Sequence, residues 1–402
     1  MQQPVGIENA STPARNGGRA DRTSPPLVLF SLAAVTWDFR LVGRTRMLTE
    51  AWLRSDQPTV FVQVPSLRTA LERLVAPLRA RPAAPIIRPW PTVPARWWTR
   101  LGEARLARFI RRRAAALRRQ LDAQVPWDRA VALVVSPVWG PWLDELPFRH
   151  VVYDCIDEPA VHVPRRELTA LYQVWEERLI ARASAAVVTA SQLGESLRRR
   201  RPDLPIAVIR NGVDVRRFQH LAAATPRPGD IPMSGRPVVG FVGALYEWID
   251  WELIRETARQ LPDFDFVLVG PRDRRGPSVQ LARLPNVRLL GPRPYKLVPA
   301  YIDAFDVCWV PFKQNAVGLA ANPVKIYEYL ALGKPVISTP VADTESFGEL
   351  VQVARTASEM AARLRDALAA PPATRAPRVA FAQENSWDVR AREYVQCVAA
   401  LT

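Results

Sequence analysis

Short apolar runs alternate with amphipathic stretches along both halves of the chain. In the first half the apolar runs are residues 27–30, 59–64, 130–135, 151–153 and 185–189, and the helical patterns are 44–53, 96–121 and 167–183. The second half repeats this alternation, with apolar runs at 237–242, 264–269, 287–290, 305–310 and 335–338 and helical patterns at 251–260, 299–304, 323–332 and 357–369. Buried strands that alternate with helices are typical of parallel sheets covered on both faces. The pattern therefore predicts an α/β protein with two Rossmann-like, doubly wound domains that face a cleft.

The domain limits follow from breaks in this pattern. Residues 1–25 are polar and predict a disordered tail, and residues 26–221 form the first domain. Residues 222–236 are rich in Pro, Gly and Ala and predict a linker to the second domain, residues 237–386. The last helical stretch, 387–402, follows a Pro-rich break and can pack on either domain, including back on the first.

Composition narrows the functional classes. The 402 residues carry a net charge of +16, and residues 1–205 hold 31 of the 55 Lys+Arg and 19 of the 39 Asp+Glu, so +12 lies in the first half. Such a surface attracts polyanions. Three scattered cysteines and three histidines disfavour a disulfide scaffold or a zinc site and fit a reducing cytosol. A signal peptide and a long apolar span are both missing, so any membrane contact is expected to be peripheral.

The most informative motif is ANPVKIYEYLALGKPV, residues 321–336. Asn322 and Pro323 can start a helix, whose amino-terminal N–H groups suit a phosphate. Lys325 adds a positive charge in the first turn, which is favourable when an anion is bound. Glu328 lies on the same face and can accept hydrogen bonds from two vicinal hydroxyls, such as those of ribose. The alternative is an ordinary capped helix with a solvated Lys and Glu.

Two further stretches place polar or flexible residues at strand ends. Residues 240–243, GFVG, are expected to end a strand and open a helix, and a tight turn at Gly243 is the alternative. Asp154 and Asp157 follow a buried strand at the cleft-facing edge and can orient an acceptor hydroxyl or act as a base. An Asp-x-x-Asp pair can also hold a metal or simply cap the following segment.

The string NPVKIYEYLALGKPVIST resembles the nucleotide-sugar motif of GT-B glycosyltransferases of the family 4 type, also called glycosyltransferase group 1. Further stretches fit in order: VVYDCIDE, NGVD at 211–214, GFVGAL, NVRLLGP and AFDVCWVPF. The resemblance implies that Glu328 binds the donor ribose, that Lys325 lies near the diphosphate, and that Gly243 lets backbone amides approach the phosphates. It also implies retention of configuration without a metal or other cofactor.

The sequence departs from the family pattern at two places. Ala320 stands where many relatives have a first glutamate, and residues 247–251, EWIDW, replace a common Lys-Gly pair. Contacts to the sugar ring could come instead from Asn315, Asn322 or amides near Leu319. Contacts to the diphosphate could come from Lys325, Lys313 or Arg210.

The first domain holds a candidate acceptor site in residues 34–48, AVTWDFRLVGRTRML. Trp37 and Asp38 resemble a Trp-Asp pair of the family, and Arg40 and Arg44 are candidate anion contacts. Relatives often have a histidine nearby where this chain has Met47, so that residue is missing.

Residues 96–121 predict an amphipathic helix with a basic face. Its apolar face comprises Leu106, Phe109, Ile110, Leu117 and Leu121, and its basic face comprises Arg108, Arg111, Arg112, Arg118 and Arg119. With Trp97 and Trp98 it suits an anionic inner leaflet. A solvated helix face is the equal alternative.

Together these patterns predict a cytoplasmic, peripherally membrane-bound glycosyltransferase. It would move a sugar from a nucleotide-sugar donor to a glycan or lipid-linked acceptor in cell-surface polysaccharide or glycolipid synthesis. A GT-B epimerase or hydrolase is the alternative enzyme, and a basic nucleic-acid-binding protein is the alternative of another class. The sequence does not identify the base, the sugar or the acceptor.

Overall fold

The computed structural model describes residues 27–34, 37, 43–64, 86–87, 89, 97–123, 125–157, 163, 166–272, 281, 283–369 and 374–401. The predicted tail, residues 1–25, lies outside this part of the chain, as do Asp38 and Arg40.

The first domain is built on a parallel sheet. Its strands are β1 (Val28–Leu32), β2 (Thr59–Val62), β3 (Ile86–Ile87), β4 (Ala130–Val134), β5 (His150–Cys155), β6 (Ala185–Val188) and β7 (Ile206–Val208), in the order β3-β2-β1-β4-β5-β6-β7. Its helices are α1 (Arg44–Arg54), α2 (Trp98–Leu101), α3 (Glu103–Leu121), α4 (Gly140–Leu143), α5 (Thr169–Arg182) and α6 (Ser191–Arg200).

The second domain repeats the plan. Its strands are β8 (Val238–Val242), β9 (Asp265–Val269), β10 (Val287–Gly291), β11 (Val307–Val310), β12 (Val336–Ser338) and β13 (Val351–Val353), in the order β10-β9-β8-β11-β12-β13. The remaining helices are α7 (Val215–Ala224), α8 (Trp251–Gln260), α9 (Val298–Asp303), α10 (Ala316–Ala320), α11 (Val324–Ala331), α12 (Ala357–Ala369), α13 (Arg375–Glu384) and α14 (Trp387–Ala399).

Alternation of side chains along the strands builds the cores. In β1, Leu29 packs on one face of the first sheet and Phe30 on the other, because successive strand residues point to opposite faces. Both faces are covered by helices, as the continuous apolar runs predict. The second domain has its own core, which includes Phe241 of β8 and Trp309 of β11. The prediction of two doubly wound domains is therefore confirmed.

The last helix, α14, packs on the first domain. Tyr394 of α14 lies edge-on to Trp52 of α1, with ring centroids 5.6 Å apart. The Trp52 indole N–H also donates to the Ala391 carbonyl at 3.0 Å. The chain thus returns from the second domain to complete one face of the first.

The chain passes from the core of the first domain to the core of the second before the predicted linker begins. Ile209 packs in the first domain, whereas Val213 and Phe218 pack in the core of the second. Helix α7 runs to Ala224 and so overlaps the start of residues 222–236. The apolar face of α7 explains the difference, because it is buried against the second domain.

Candidate active site

A cavity of about 260 Å³ lies between the two domains. On the second domain it is bordered by Gly243 and Ala244, directly after β8, and by Phe312, just after β11. The order of the second sheet reverses between these two strands, and open α/β sheets bind ligands at such a point. The first domain closes the cavity with Ile156 and Asp157, which follow β5.

Helix α11 directs its amino-terminal end at this cavity, which residues 322–325 border. The helix begins at Val324, with Pro323 as its N-cap residue and no side chain bonded to its first amides. The expectation that Asn322 caps the helix is wrong, because its side-chain oxygen accepts the Asn211 N–H at 2.9 Å instead. Uncapped first-turn N–H groups carry partial positive charge and suit an anion.

The Glu328 carboxylate is held between two donors. Lys325 Nζ lies 2.8 Å from Glu328 Oε2, and the Tyr295 hydroxyl donates to Glu328 Oε1 at 3.0 Å. A carboxylate offers about four lone-pair positions, so each oxygen can accept a further hydrogen bond.

Lys325 lies between the cavity and this carboxylate. The Glu328 side chain is 1% exposed, whereas the Lys325 side chain is 23% exposed. Among the described residues, those that border the cavity include Lys325 but not Glu328. A ligand that reaches Glu328 must therefore move the Lys325 ammonium, and an arriving phosphate would attract it.

Tyr295 is a site residue that the sequence analysis missed. Its ring lies edge-on to Phe218, with centroids 5.9 Å apart, and 5.7 Å from the Arg217 guanidinium. Burial, followed by the nearby charge of Glu328, raises the pKa of Tyr295 well above its ordinary value, so the hydroxyl keeps its proton and acts as a donor. Local sequence could not reveal this contact, because its two partners lie 33 residues apart.

Gly243 begins a loop. Strand β8 ends at Val242, and the next helix opens only at Trp251, so the expectation of a helix directly after the glycine is wrong. The Gly243 N–H donates to the Val269 carbonyl at 2.9 Å. A Cβ at residue 243 would lie 2.8 Å from the Phe241 ring and 3.6 Å from Lys325 Cε. The glycine therefore permits both side chains to approach.

One side of the cavity is an apolar wall, formed by Phe241, Trp248, Phe312 and Val317. The rings of Phe241 and Phe312 lie edge to face, with centroids 6.2 Å apart. The loop that carries Trp248 is tied to the neighbouring segment, since the Lys313 N–H donates to the Trp248 carbonyl at 2.8 Å. The residues EWIDW thus place an indole at the cavity.

A buried polar network joins the two domains beside the cavity. Asn211 donates two hydrogen bonds to Asn322, from its backbone N–H to the side-chain oxygen at 2.9 Å and from its side-chain amide to the carbonyl at 2.6 Å. Arg44 donates to the Asn211 side chain at 3.1 Å and to the Asp154 carboxylate at 3.2 Å. Its terminal nitrogens also donate to the carbonyls of residues 209 and 210 and to the Tyr394 hydroxyl. The Arg44 guanidinium thus connects β5, residues 209–211 between the two domains, and α14.

Arg210 forms a second connection between the domains. Its Nη2 lies 3.0 Å from Asp343 Oδ2, and the same carboxylate accepts the Ser191 N–H at 3.2 Å. Asp343 belongs to the second domain and follows β12, whereas Arg210 and Ser191 follow β7 and β6 of the first. The structure therefore gives Arg210 a partner other than the predicted diphosphate.

Comparison with known proteins identifies the second half of the chain. Residues 236–370 match the family model described as Glycosyl transferases group 1. The second domain is therefore similar to that family. The chain is also 32% identical over 206 residues to TuaH of Bacillus subtilis (strain 168), a provisionally assigned teichuronic acid biosynthesis glycosyltransferase. This match covers 48% of this chain and 51% of TuaH, so the chain spans about half the length of that relative.

Solved structures show the fold of the whole chain. The UDP complex of Anabaena Alr3699/HepE superposes with a TM-score of 0.64 at 14% identity, covering 94% of this chain and 100% of that one. The α,α-trehalose 6-phosphate synthase of Burkholderia multivorans superposes with a TM-score of 0.66 at 14% identity, covering 94% and 99%. The chain therefore has the GT-B fold.

Ala320, the position at which the sequence departs from the family pattern, is 1% exposed. Ala320 and Ala342 come from the second domain but belong to the apolar core of the first. Residue 320 is therefore buried in the contact between the domains. The nearby amides are engaged: Gly318 N donates to the Asn315 side chain at 3.0 Å, and Leu319 N donates to the Asn315 carbonyl at 2.8 Å. The amides of Gly318 and Leu319 are thus bonded within the protein, and contact of amides near Leu319 with the sugar ring stays a prediction.

The two aspartates after the β5 apolar run differ in position. Asp157 borders the cavity, whereas Asp154 is 2% exposed and paired with Arg44. Asp157 is thus the one that borders the cavity, and its catalytic role stays a prediction.

The described residues of the predicted acceptor site are buried. Trp37 is 7% exposed, lies edge-on to Phe61 with centroids 4.9 Å apart, and is covered by the Arg46 guanidinium at 4.9 Å. Arg44 borders the cavity but is 4% exposed and held by protein groups. Their contact with an acceptor stays a prediction.

The predicted basic helix is broken at Gly102, which has φ +71° and separates α2 from α3. The five arginines of the basic face are exposed. Phe109 is 39% exposed and thus lies outside the buried apolar face. Ala114 is buried and belongs to that face instead. Trp97 is 43% exposed, but Trp98 is 7% exposed and packs on Trp175, so the prediction that Trp98 contacts a membrane is wrong.

Over the described ranges, no group of three or more His, Cys, Asp or Glu side chains is arranged to hold a metal ion. None of the helices in those ranges is both long and apolar enough to cross a bilayer.

Proposed function

We propose that the chain is a glycosyltransferase that moves a sugar from a nucleotide-sugar donor to a glycan or lipid-linked acceptor. The observation that carries the proposal is the start of α11, where uncapped amides and Lys325 border the cavity and Lys325 bonds the buried Glu328 carboxylate. A nucleoside diphosphate presents a phosphate to the first two and ribose hydroxyls to the third. HepE, which shares the fold, was crystallised with UDP and with UDP-glucose.

In the proposed reaction, the bond between the sugar C1 and the β-phosphate oxygen breaks, and the acceptor oxygen bonds to C1 on the same face. The α11 amides and the Lys325 ammonium stabilise the charge that develops on the departing diphosphate. The acceptor proton passes to the leaving phosphate or, alternatively, to Asp157. This scheme needs no metal or other cofactor.

The first test is binding of UDP, GDP, TDP and ADP to the purified chain, measured by thermal shift. A ligand at 100 times its Kd stabilises the folded state by about 2.7 kcal/mol. One diphosphate should therefore raise the Tm by several degrees. No shift with any of them would contradict the proposal. Donor turnover at the same rate with and without acceptor extracts would favour the epimerase or hydrolase alternative.

The acceptor is proposed to belong to cell-surface polysaccharide or glycolipid synthesis, on the cytoplasmic side of the membrane. The relation to TuaH supports an acceptor that belongs to cell-surface polysaccharide synthesis. The basic face supports a position at the cytoplasmic side of the membrane, because each arginine near an anionic leaflet contributes about 1 kcal/mol. The exposed Trp97 and Phe109 add apolar groups close to this face.

Sedimentation with vesicles tests the membrane contact. Replacing Arg108, Arg112 and Arg119 with Ala should weaken binding to anionic vesicles, whereas the exposed second-domain control Arg283, Arg288 and Arg363 to Ala should not. Equal binding by both triple variants would contradict the contact. Salt-sensitive binding of duplex DNA by the same face would favour the nucleic-acid alternative.

A further inference from the structure

The cavity next to Lys325 has a defined place in the proposed reaction, and the inference below rests on that function. Glu328 follows Lys325 on α11 and accepts a hydrogen bond from Tyr295, and Asp157 of the first domain also borders the cavity. If ribose binds at Glu328 and the diphosphate at Lys325, the transferred sugar extends from the diphosphate into the cavity that Lys325 and Asp157 border. The sugar therefore enters the cavity that the apolar wall borders.

The groups that line this cavity offer the sugar few hydrogen bonds. The apolar wall contributes two phenylalanines, one tryptophan and one valine. Among the described polar side chains that border the cavity, Arg44, Asn211 and Asn322 are bonded within the protein, whereas Asp157 and Lys325 serve the acceptor proton and the diphosphate in the proposed reaction. The amide of Gly318 is bonded to Asn315.

A sugar hydroxyl placed against such a wall loses its hydrogen bonds to water, whereas a methyl group gains from leaving water. The 6-deoxyhexoses keep their ring hydroxyls but carry a methyl group where a hexose carries a hydroxymethyl group. Val317 and Phe312 can pack against that methyl. We propose that the donor is a nucleoside diphosphate 6-deoxyhexose and that the apolar wall selects it.

Matched donor pairs test this selectivity. The pairs are TDP-glucose with TDP-6-deoxyglucose, UDP-glucose with UDP-6-deoxyglucose, and GDP-mannose with GDP-6-deoxymannose, and the pair with the preferred base is titrated by calorimetry. The 6-deoxy member should bind roughly 10- to 100-fold more tightly, the range in which an apolar pocket discriminates against an added hydroxyl. Equal affinities, or tighter binding of the hexose, would overturn the proposal.

Replacing one residue of the apolar wall tests whether the wall causes the selectivity. Val317→Thr adds a hydroxyl to the wall and should reduce the preference for the 6-deoxy member by several-fold. Val174→Thr, at a valine that is 42% exposed on α5, is the matched control and should leave the ratio unchanged. An unchanged ratio in Val317→Thr would overturn the assignment to this wall. If no nucleoside diphosphate binds at all, the proposed function itself fails, which is a different outcome.

Discussion

Replacing Lys325 with Ala should affect nucleosides and nucleoside diphosphates in opposite directions. The Lys325 ammonium bonds the buried Glu328 carboxylate at 2.8 Å and separates it from the cavity. A diphosphate would draw this ammonium away, so the pair opens as the ligand binds. A nucleoside without phosphates must break the ion pair and gains no phosphate contact in return.

The contacts of Lys325 determine how large the change in diphosphate affinity and the change in nucleoside affinity should be. A hydrogen bond between an ammonium and a phosphate contributes about 1.5–3 kcal/mol, and opening the Lys325–Glu328 pair offsets part of this, so the variant should bind the diphosphate roughly 2- to 70-fold more weakly. The Lys325–Glu328 pair is partly exposed on the lysine side and is discounted to about 0.5–1 kcal/mol. Its removal should let the nucleoside bind roughly two- to fivefold more tightly.

Calorimetry with the preferred nucleoside diphosphate and its nucleoside measures both changes. Lys334→Ala is the matched control, because Lys334 bonds the Asp303 carbonyl at 2.6 Å on the same domain, and among the described residues it does not border the cavity. That variant should leave both affinities unchanged. If Lys325→Ala weakens the nucleoside and the diphosphate by the same factor, Lys325 does not cover Glu328 and the reasoning is refuted.

Three further predictions concern other contacts of the structure. Tyr295→Phe removes one donor to Glu328 and should weaken diphosphate binding by roughly two- to tenfold in calorimetry, with no change in the far-ultraviolet circular dichroism spectrum. Arg44→Leu leaves Asp154 buried without its cation and should lower the free energy of unfolding in urea by about 3–5 kcal/mol, whereas a change below about 1 kcal/mol would contradict the network. Ala320→Glu buries a carboxyl in an apolar contact, which raises its folded pKa. The loss of Tm should therefore be smaller at pH 4 than at pH 7, and an equal loss at both would show that the carboxyl reaches water.

Strands and helices with strong periodicity could be predicted from the sequence. The pattern at residues 251–260 and 357–369 gave the bounds of α8 and α12 as the structure has them. Strands β3, β7 and β13 were missed because they have only two or three residues, too few for an alternating pattern to be recognised.

Contacts between distant residues could not be predicted in the same way. Asn322 has the local sequence of a helix cap, but Asn211, 111 residues away, competes for its side chain. Arg44 looked available to a ligand, but it is enclosed by partners such as Tyr394, 350 residues further along. Tyr295 has no local feature that marks it as a partner of Glu328. Which polar groups remain for a ligand therefore depends on the tertiary structure.

The most direct test of the proposed donor site is titration of nucleoside diphosphates into the wild-type chain and into Glu328→Gln. Glutamine keeps the shape of the side chain but loses the charge and one acceptor oxygen. The account predicts that one diphosphate binds the wild type and that the variant binds it at least about tenfold more weakly, since hydrogen bonds to a charged group contribute about 1.5–3 kcal/mol. Equal affinity in the two proteins, or no binding to either, would contradict the assignment of the start of α11 as the donor site.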